Sequence, residues 1–149
     1  MNKKIYAAYG SNMNLEQMSN RCPAAKVIGT GLVEGFRLTF RGSSRSVANI
    51  EHCPDRSVPV VLWEITESCE EVLDMYEGYP NLYKKQTIEV QVDGKIQEAM
   101  VYVMAKRYRA MPAIPTSYYL EIIAEGYNDN GLDLEILKMA HLECLKELK

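Results

Sequence analysis

The chain has no Cys-x-x-Cys pair, no apolar run near the roughly 20 residues of a membrane span, and no excess of basic residues. Each absence removes a class of function. The longest early apolar stretch, Ile5 to Ala8 behind Lys3 and Lys4, is too short for the apolar region of a secretory leader, so a cytoplasmic protein with no membrane partner is expected. A net charge of -3 provides no global basic field, so no nucleic-acid partner is expected. Cys22, Cys53, Cys69 and Cys144 fit no zinc spacing, even with His52 beside Cys53, and are read as reduced structural thiols with no metal. His141 and Cys144 share one face of the last predicted helix, but no third group orients them, so they are read as packing rather than as a nucleophile pair. Arg37, Arg41 and Arg45 are read as solvated surface. There is no internal repeat, low-complexity run or interdomain linker, and nothing sets an oligomeric state.

What is present fits one domain, residues 1–149, with 47% apolar and 25% charged residues. Strands are expected at 4–9, 26–41, 47–50 and 58–65, and helices at 14–20, 68–77, 118–127 and 132–147. Gly29, Gly31 and Gly35 mark bulges or close backbone approach within 26–41. Two alternating segments, 83–92 and 96–104, flank Asp93-Gly94, a hairpin turn pair. Residues 41–46 and 106–115 read as loops. In the last helix, Leu134, Leu137, Leu145 and Leu148 supply apolar positions. Short, Gly-broken strands that do not alternate regularly with helices favour an α+β fold around a curved, barrel-like mixed sheet with flanking helices.

Two stretches carry the chemistry. In the first, Ile5-Tyr6-Ala7-Ala8 runs into Tyr9-Gly10-Ser11-Asn12, a turn that can aim backbone N–H groups at a carboxylate or an oxyanion. The second reads Leu73-Asp74-Met75-Tyr76-Glu77-Gly78-Tyr79-Pro80. Ser68 and Glu71 are expected as a capping box at the start of this helix. Gly78 suits the position just past its end, and Pro80 prevents continuation. Glu77 is then the last helical residue, facing the negative end of the helix dipole, a placement unfavourable by about 0.3–1 kcal/mol. A carboxylate kept there against local electrostatics calls for a reason.

Taken in order, Tyr9-Gly10-Ser11-Asn12 after an N-terminal strand and Leu73-Asp74…Glu77-Gly78…Tyr83 after a Trp-containing strand resemble the γ-glutamylcyclotransferase family, including its AIG2-like and BtrG-like branches. Val47-Ala48-Asn49-Ile50 and Pro115 through Gly131 extend the likeness over most of the chain. The resemblance implies an enzyme that closes a small γ-glutamyl substrate on itself, releasing 5-oxoproline and an amine. It implies Glu77 as catalytic acid/base, and Tyr9, Gly10, Ser11 and Asn12 as the loop that binds the γ-glutamyl group. It further implies Tyr83 and Tyr119 as pocket tyrosines, with the adjacent Tyr118 as the alternative to Tyr119. No cofactor is implied, because the substrate's own amine is the nucleophile. The glutathione-specific branch usually carries Leu where Asn12 stands. A tailoring enzyme acting on a larger metabolite and a non-catalytic binding module are the competing readings. Loops Phe40–Val47 and Lys106–Pro115 are the candidates for setting specificity.

Overall fold

The computed structural model describes residues 3–42 and 46–148. Five strands close into a barrel: β1 (Lys3–Ala8), β2 (Lys26–Arg41), β3 (Val47–Thr66), β4 (Tyr83–Val92) and β5 (Lys95–Met104), in the order β1-β3-β2-β4-β5. All neighbours are antiparallel except β1 and β5, which meet in parallel at Tyr6 and Met100 and complete the closure. Helices α1 (Leu15–Arg21), α2 (Glu67–Glu77), α3 (Lys106–Arg109), α4 (Ser117–Asp129) and α5 (Glu135–Glu147) surround it, so the expected α+β class with a barrel-like sheet is the fold found. No described helix is long and apolar enough to cross a membrane.

The barrel is filled by β-branched residues such as Val33, Val58, Val60, Val90 and Val101, all fully buried. Strand β2 bends where its register with β3 shifts, between Val27 and Gly29 and between Glu34 and Phe36, so Gly29 and Gly35 do mark bulges. Gly31 marks the close approach. A Cβ there would lie 2.5 Å from Val90 Cγ1 and 2.8 Å from the Gln91 carbonyl oxygen, next to the Leu32–Gln91 pair that joins β2 to β4. Asp93 (φ 50°) and Gly94 (φ 79°) form the two-residue turn of the β4–β5 hairpin.

Several expectations are corrected. The two short strands at 47–50 and 58–65 are one continuous strand, because β3 follows the whole of β2 and Glu51, His52 and Ser57 all pair across. Helix α2 is capped by Thr66, whose hydroxyl accepts the Cys69 N–H at 3.2 Å, rather than by Ser68 and Glu71. Ser68 instead shares a hydrogen bond with Thr66. Along α5 the buried stripe is Leu137, Ala140 and Cys144, while Leu148 is exposed. Residues 106–109 form the short helix α3 rather than a loop.

The arginines are also different from the reading above. Arg41 is buried, with Nε and Nη2 on the Glu51 carboxylate at 2.8 and 3.2 Å and Nη1 on Glu147 at 3.0 Å. Arg37 lies 3.7 Å from both Glu51 and Glu143, and Glu143 also holds Arg56 through both oxygens. These pairs fasten α5 to the β2–β3 ribbon. A forked guanidinium matched to a carboxylate is the arrangement in which a half-buried ion pair is best compensated. Arg45 lies outside the described residues.

Replacing Gly31 by Ala forces a methyl against the β4 backbone and is expected to destabilise by about 1–3 kcal/mol. Thermal unfolding should then show Tm lowered by roughly 3–10 °C.

Candidate active site

The loop after β1 is built by local hydrogen bonds and then pinned from three sides. Ser11–Met13 form one 3-10 turn, with Met13 N–H donating to the Gly10 carbonyl (3.0 Å) and Asn14 N–H to the Ser11 carbonyl (3.1 Å). The first N–H groups of such a turn have no partner within it, which leaves them for a ligand. Asn14 caps α1 by accepting the Gln17 N–H at 3.0 Å. From the barrel, Trp63 Nε1 donates to the Asn12 carbonyl at 2.9 Å. From α4, Asn130 Nδ2 donates to the Met13 carbonyl at 3.0 Å, and Asn14 Nδ2 reaches back to the Ile122 carbonyl at 2.9 Å. Gly126 lets the helix come this close, since a Cβ there would sit 2.8 Å from Asn14 N and from Met13 C.

Helix α2 delivers Glu77 to the same place. Its C-terminus closes on Gly78 (φ 65°), whose N–H donates to the Met75 carbonyl at 3.2 Å while Tyr79 N–H donates to Asp74 at 2.9 Å. This pair of bonds is the Schellman stop, so the helix ends where the sequence indicates. Lys85 from β4 holds the outer side of α2 through Glu70 (2.6 Å) and Asp74 (3.0 Å), and the Tyr102 hydroxyl donates to Asp74 at 2.6 Å.

One pocket lies between the loop, the end of α2 and the barrel mouth. Tyr9, Gly10, Ser11, Asn12, Glu77, Tyr83 and Tyr119 all line it, so the residues marked in the sequence share one cavity. Tyr118 points away and is 71% exposed, which decides between the two adjacent tyrosines. Sequence reasoning did not single out Tyr6, Tyr76 and Tyr102, which also line the pocket. The period-2 rhythm of β1 and β5 marks one face of each strand as inward, but only closure of the barrel shows that Tyr6 and Tyr102 reach a cavity.

The lining is polar but almost uncharged. Among its residues Glu77 is the one with a carboxyl group, and none is Lys, Arg or His. Burial pushes the Glu77 carboxyl up from its ordinary value of 4.5 to about 7, opposed by the nearby Arg21 guanidinium. Burial likewise raises Tyr6, Tyr9, Tyr83 and Tyr119, so these phenols keep their protons. Tyr9 donates to the Tyr102 carbonyl at 2.6 Å, and Tyr83 donates to the Ala48 carbonyl. Tyr119 accepts the Ala48 N–H at 3.0 Å. Ser11 Oγ and the Tyr76 hydroxyl are 3.0 Å apart. The Asn12 side chain is engaged at both polar atoms within the protein: Oδ1 accepts from Arg21 at 2.6 Å and Nδ2 donates to the Tyr6 hydroxyl at 2.9 Å.

The cysteines lie elsewhere. Burial pushes the Cys22 thiol up to about 12, and Cys22 bonds to the Cys69 carbonyl. Cys144 is buried, its thiol raised and bonded to the Ala113 carbonyl, the reverse of an activated nucleophile. Among the described residues no group of three or more His, Cys, Asp and Glu is gathered as metal ligands would be.

A carboxyl with a raised pKa shares one pocket with a turn whose leading N–H groups have no partner within it, a pairing compatible with acyl chemistry that uses a proton shuttle. The family model described as gamma-glutamyl cyclotransferase, AIG2-like, matches residues 6–121, which contain this entire pocket. The chain belongs to the gamma-glutamyl cyclotransferase, AIG2-like family. It is 32% identical over 143 residues to a human gamma-glutamylcyclotransferase, covering 88% of this chain and 73% of that protein. A bovine gamma-glutamylcyclotransferase is 30% identical over 144 residues, covering 90% and 75%. A solved structure titled gamma-glutamyl cyclotransferase superposes with a TM-score of 0.82 at 28% identity, covering 93% of this chain and 86% of that one.

The raised pKa of Glu77 has a consequence for stability. The native state binds this proton more tightly than the unfolded chain, so its contribution is fully present below about 4.5 and is lost as pH rises through about 7. Glu77→Gln removes the buried charge. The variant is expected to be more stable than wild type at pH 8, by on the order of 3 kcal/mol at most, with the gap closing towards pH 5. Thermal melts of both proteins at the two pH values measure this.

Proposed function

We propose that this pocket converts a γ-glutamyl amino acid or γ-glutamyl amine into 5-oxoproline and the free amine, with Glu77 moving the protons. The observation that carries this reading is that the Glu77 carboxyl, pushed up to about 7 by burial, shares one pocket with the Tyr9 to Asn12 loop. A carboxylate at the ordinary 4.5 is a poor base toward an ammonium, whereas one poised near neutrality can both take and return a proton.

The reaction is intramolecular. Glu77 takes a proton from the substrate's α-ammonium, and the freed amine attacks the γ-carbonyl carbon. The new C–N bond gives a tetrahedral oxyanion. Glu77 returns its proton to the departing nitrogen as the old amide C–N bond breaks. The ring nitrogen sheds its second proton, and the released amine leaves protonated into water. Folding the glutamyl chain so that amine meets carbonyl recovers a large orientational term, which suits a small shaped pocket. The N–H groups of Gly10 to Asn12 hold the α-carboxylate or the oxyanion. Tyr83 and Tyr119 shape the wall against which the glutamyl chain folds. The nucleophile belongs to the substrate, so the scheme needs no protein nucleophile and no cofactor. The free state of all four cysteines suits a reducing, cytoplasmic setting.

The test is formation of 5-oxoproline from a panel: γ-Glu-Ala, γ-Glu-ε-Lys, glutathione and a γ-glutamyl polyamine. Wild type is expected to form product from at least one compound, with an acidic limb in kcat/KM centred near pH 7. Glu77→Gln should reduce kcat by roughly 100- to 10,000-fold. Full activity in that variant removes Glu77 from its role. Absence of product from every compound in the panel counts against the reaction and favours a binding module.

A further inference from the structure

The hydrogen-bond polarity of the pocket follows from one fixed point. Arginine can only donate, so the Asn12 atom 2.6 Å from Arg21 Nη1 is the carbonyl oxygen. The amide of Asn12 is thereby oriented, and its Nδ2, a pure donor, faces the Tyr6 hydroxyl at 2.9 Å. The Tyr6 oxygen must accept this bond. Its own proton is left over, and among the described residues no acceptor takes it. Tyr6 is 4% exposed and lines the pocket, so the remaining partner has to come from within the cavity. Tyr9 and Tyr83 contrast with this, because each spends its proton on a backbone carbonyl.

We propose that the Arg21–Asn12 pair fixes Tyr6 as a neutral hydrogen-bond donor to an anionic oxygen of the glutamyl group, either its α-carboxylate or the oxyanion formed at the γ-carbon. The proposal rests on the reaction given above. It explains how a pocket with no basic lining residue accommodates an anion beside Glu77: the donors are neutral, and the charge that orients them, Arg21, is held outside the lining. Arg21 is itself clamped, with Nη2 on Gln17 at 2.6 Å and its guanidinium 3.7 Å above the Tyr76 ring. Arg21 and Asn12 are positioning residues in this scheme, and Tyr6 is the group that touches substrate.

The experiment compares wild type, Tyr6→Phe, Asn12→Asp and the double variant, on the substrate that wild type turns over. Binding of 5-oxoproline, which keeps the carboxylate and lacks the oxyanion, is measured alongside by calorimetry. Near-UV circular dichroism establishes that each variant is folded. If Tyr6 holds the carboxylate, Tyr6→Phe raises KM and weakens 5-oxoproline binding by roughly 10- to 100-fold with kcat little changed. If it holds the oxyanion, kcat falls by a similar factor while 5-oxoproline binding is retained. An aspartate at position 12 still pairs with Arg21 but accepts the Tyr6 proton, reversing its direction. Asn12→Asp should therefore reproduce the loss seen in Tyr6→Phe, and the double variant should lose no more than either single one. Unchanged kinetics and binding in folded Tyr6→Phe, or fully additive losses in the double variant, overturn the proposal. Failure of wild type to form 5-oxoproline is a separate result and overturns the reaction itself.

Discussion

The structure is organised around one unfavourable act, the burial of the Glu77 carboxyl in a cavity that no basic side chain lines. Removing a carboxylate from water costs several kcal/mol unless it is paired, and here it is unpaired. The group responds by holding its proton up to about pH 7. The burial that suits this group to the proposed proton transfer also weakens the fold at alkaline pH.

That arrangement survives because the surrounding parts are over-determined. The end of α2 is fixed by two backbone bonds at Gly78 and Tyr79. Its outer side is tied to the barrel by Lys85 and Tyr102. The facing loop is held by Trp63 from the barrel and by Asn130 from α4, with Gly126 allowing the helix to press against its backbone. Movement of either side of the pocket would break several of these hydrogen bonds. The contact between Arg21 and Asn12 joins the loop to α1 and sets the direction of bonds reaching the cavity.

How much of this is legible in the chain depends on the range of the interaction. The Asp93-Gly94 hairpin and the helix stop at Gly78 were readable because both rest on the backbone angles of one or two residues. Tyr9 to Asn12, Glu77, Tyr83 and Tyr119 could be named from motif order, and they share a pocket. What could not be read depends on distant segments. Arg41 looks like a surface residue until α5 brings Glu147 beside it and β3 brings Glu51. The 51–57 segment falls between two expected strands until Glu51, His52 and Ser57 are seen to pair with β2. Tyr6 sits in the very stretch that drew attention, yet its role turns on the orientation of an amide set by Arg21. Alternation along a strand indicates which side a residue faces, and not what it meets there.

The most direct measurement is the titration of the Glu77 carboxyl itself, by carbon-detected NMR of protein labelled at its glutamate side chains, with Glu77→Gln identifying the resonance. The account predicts a transition near pH 7, set by burial and moderated by Arg21. A transition near the ordinary 4.5 would mean that the carboxyl is solvated, and the account of the pocket as a poised proton shuttle would be wrong.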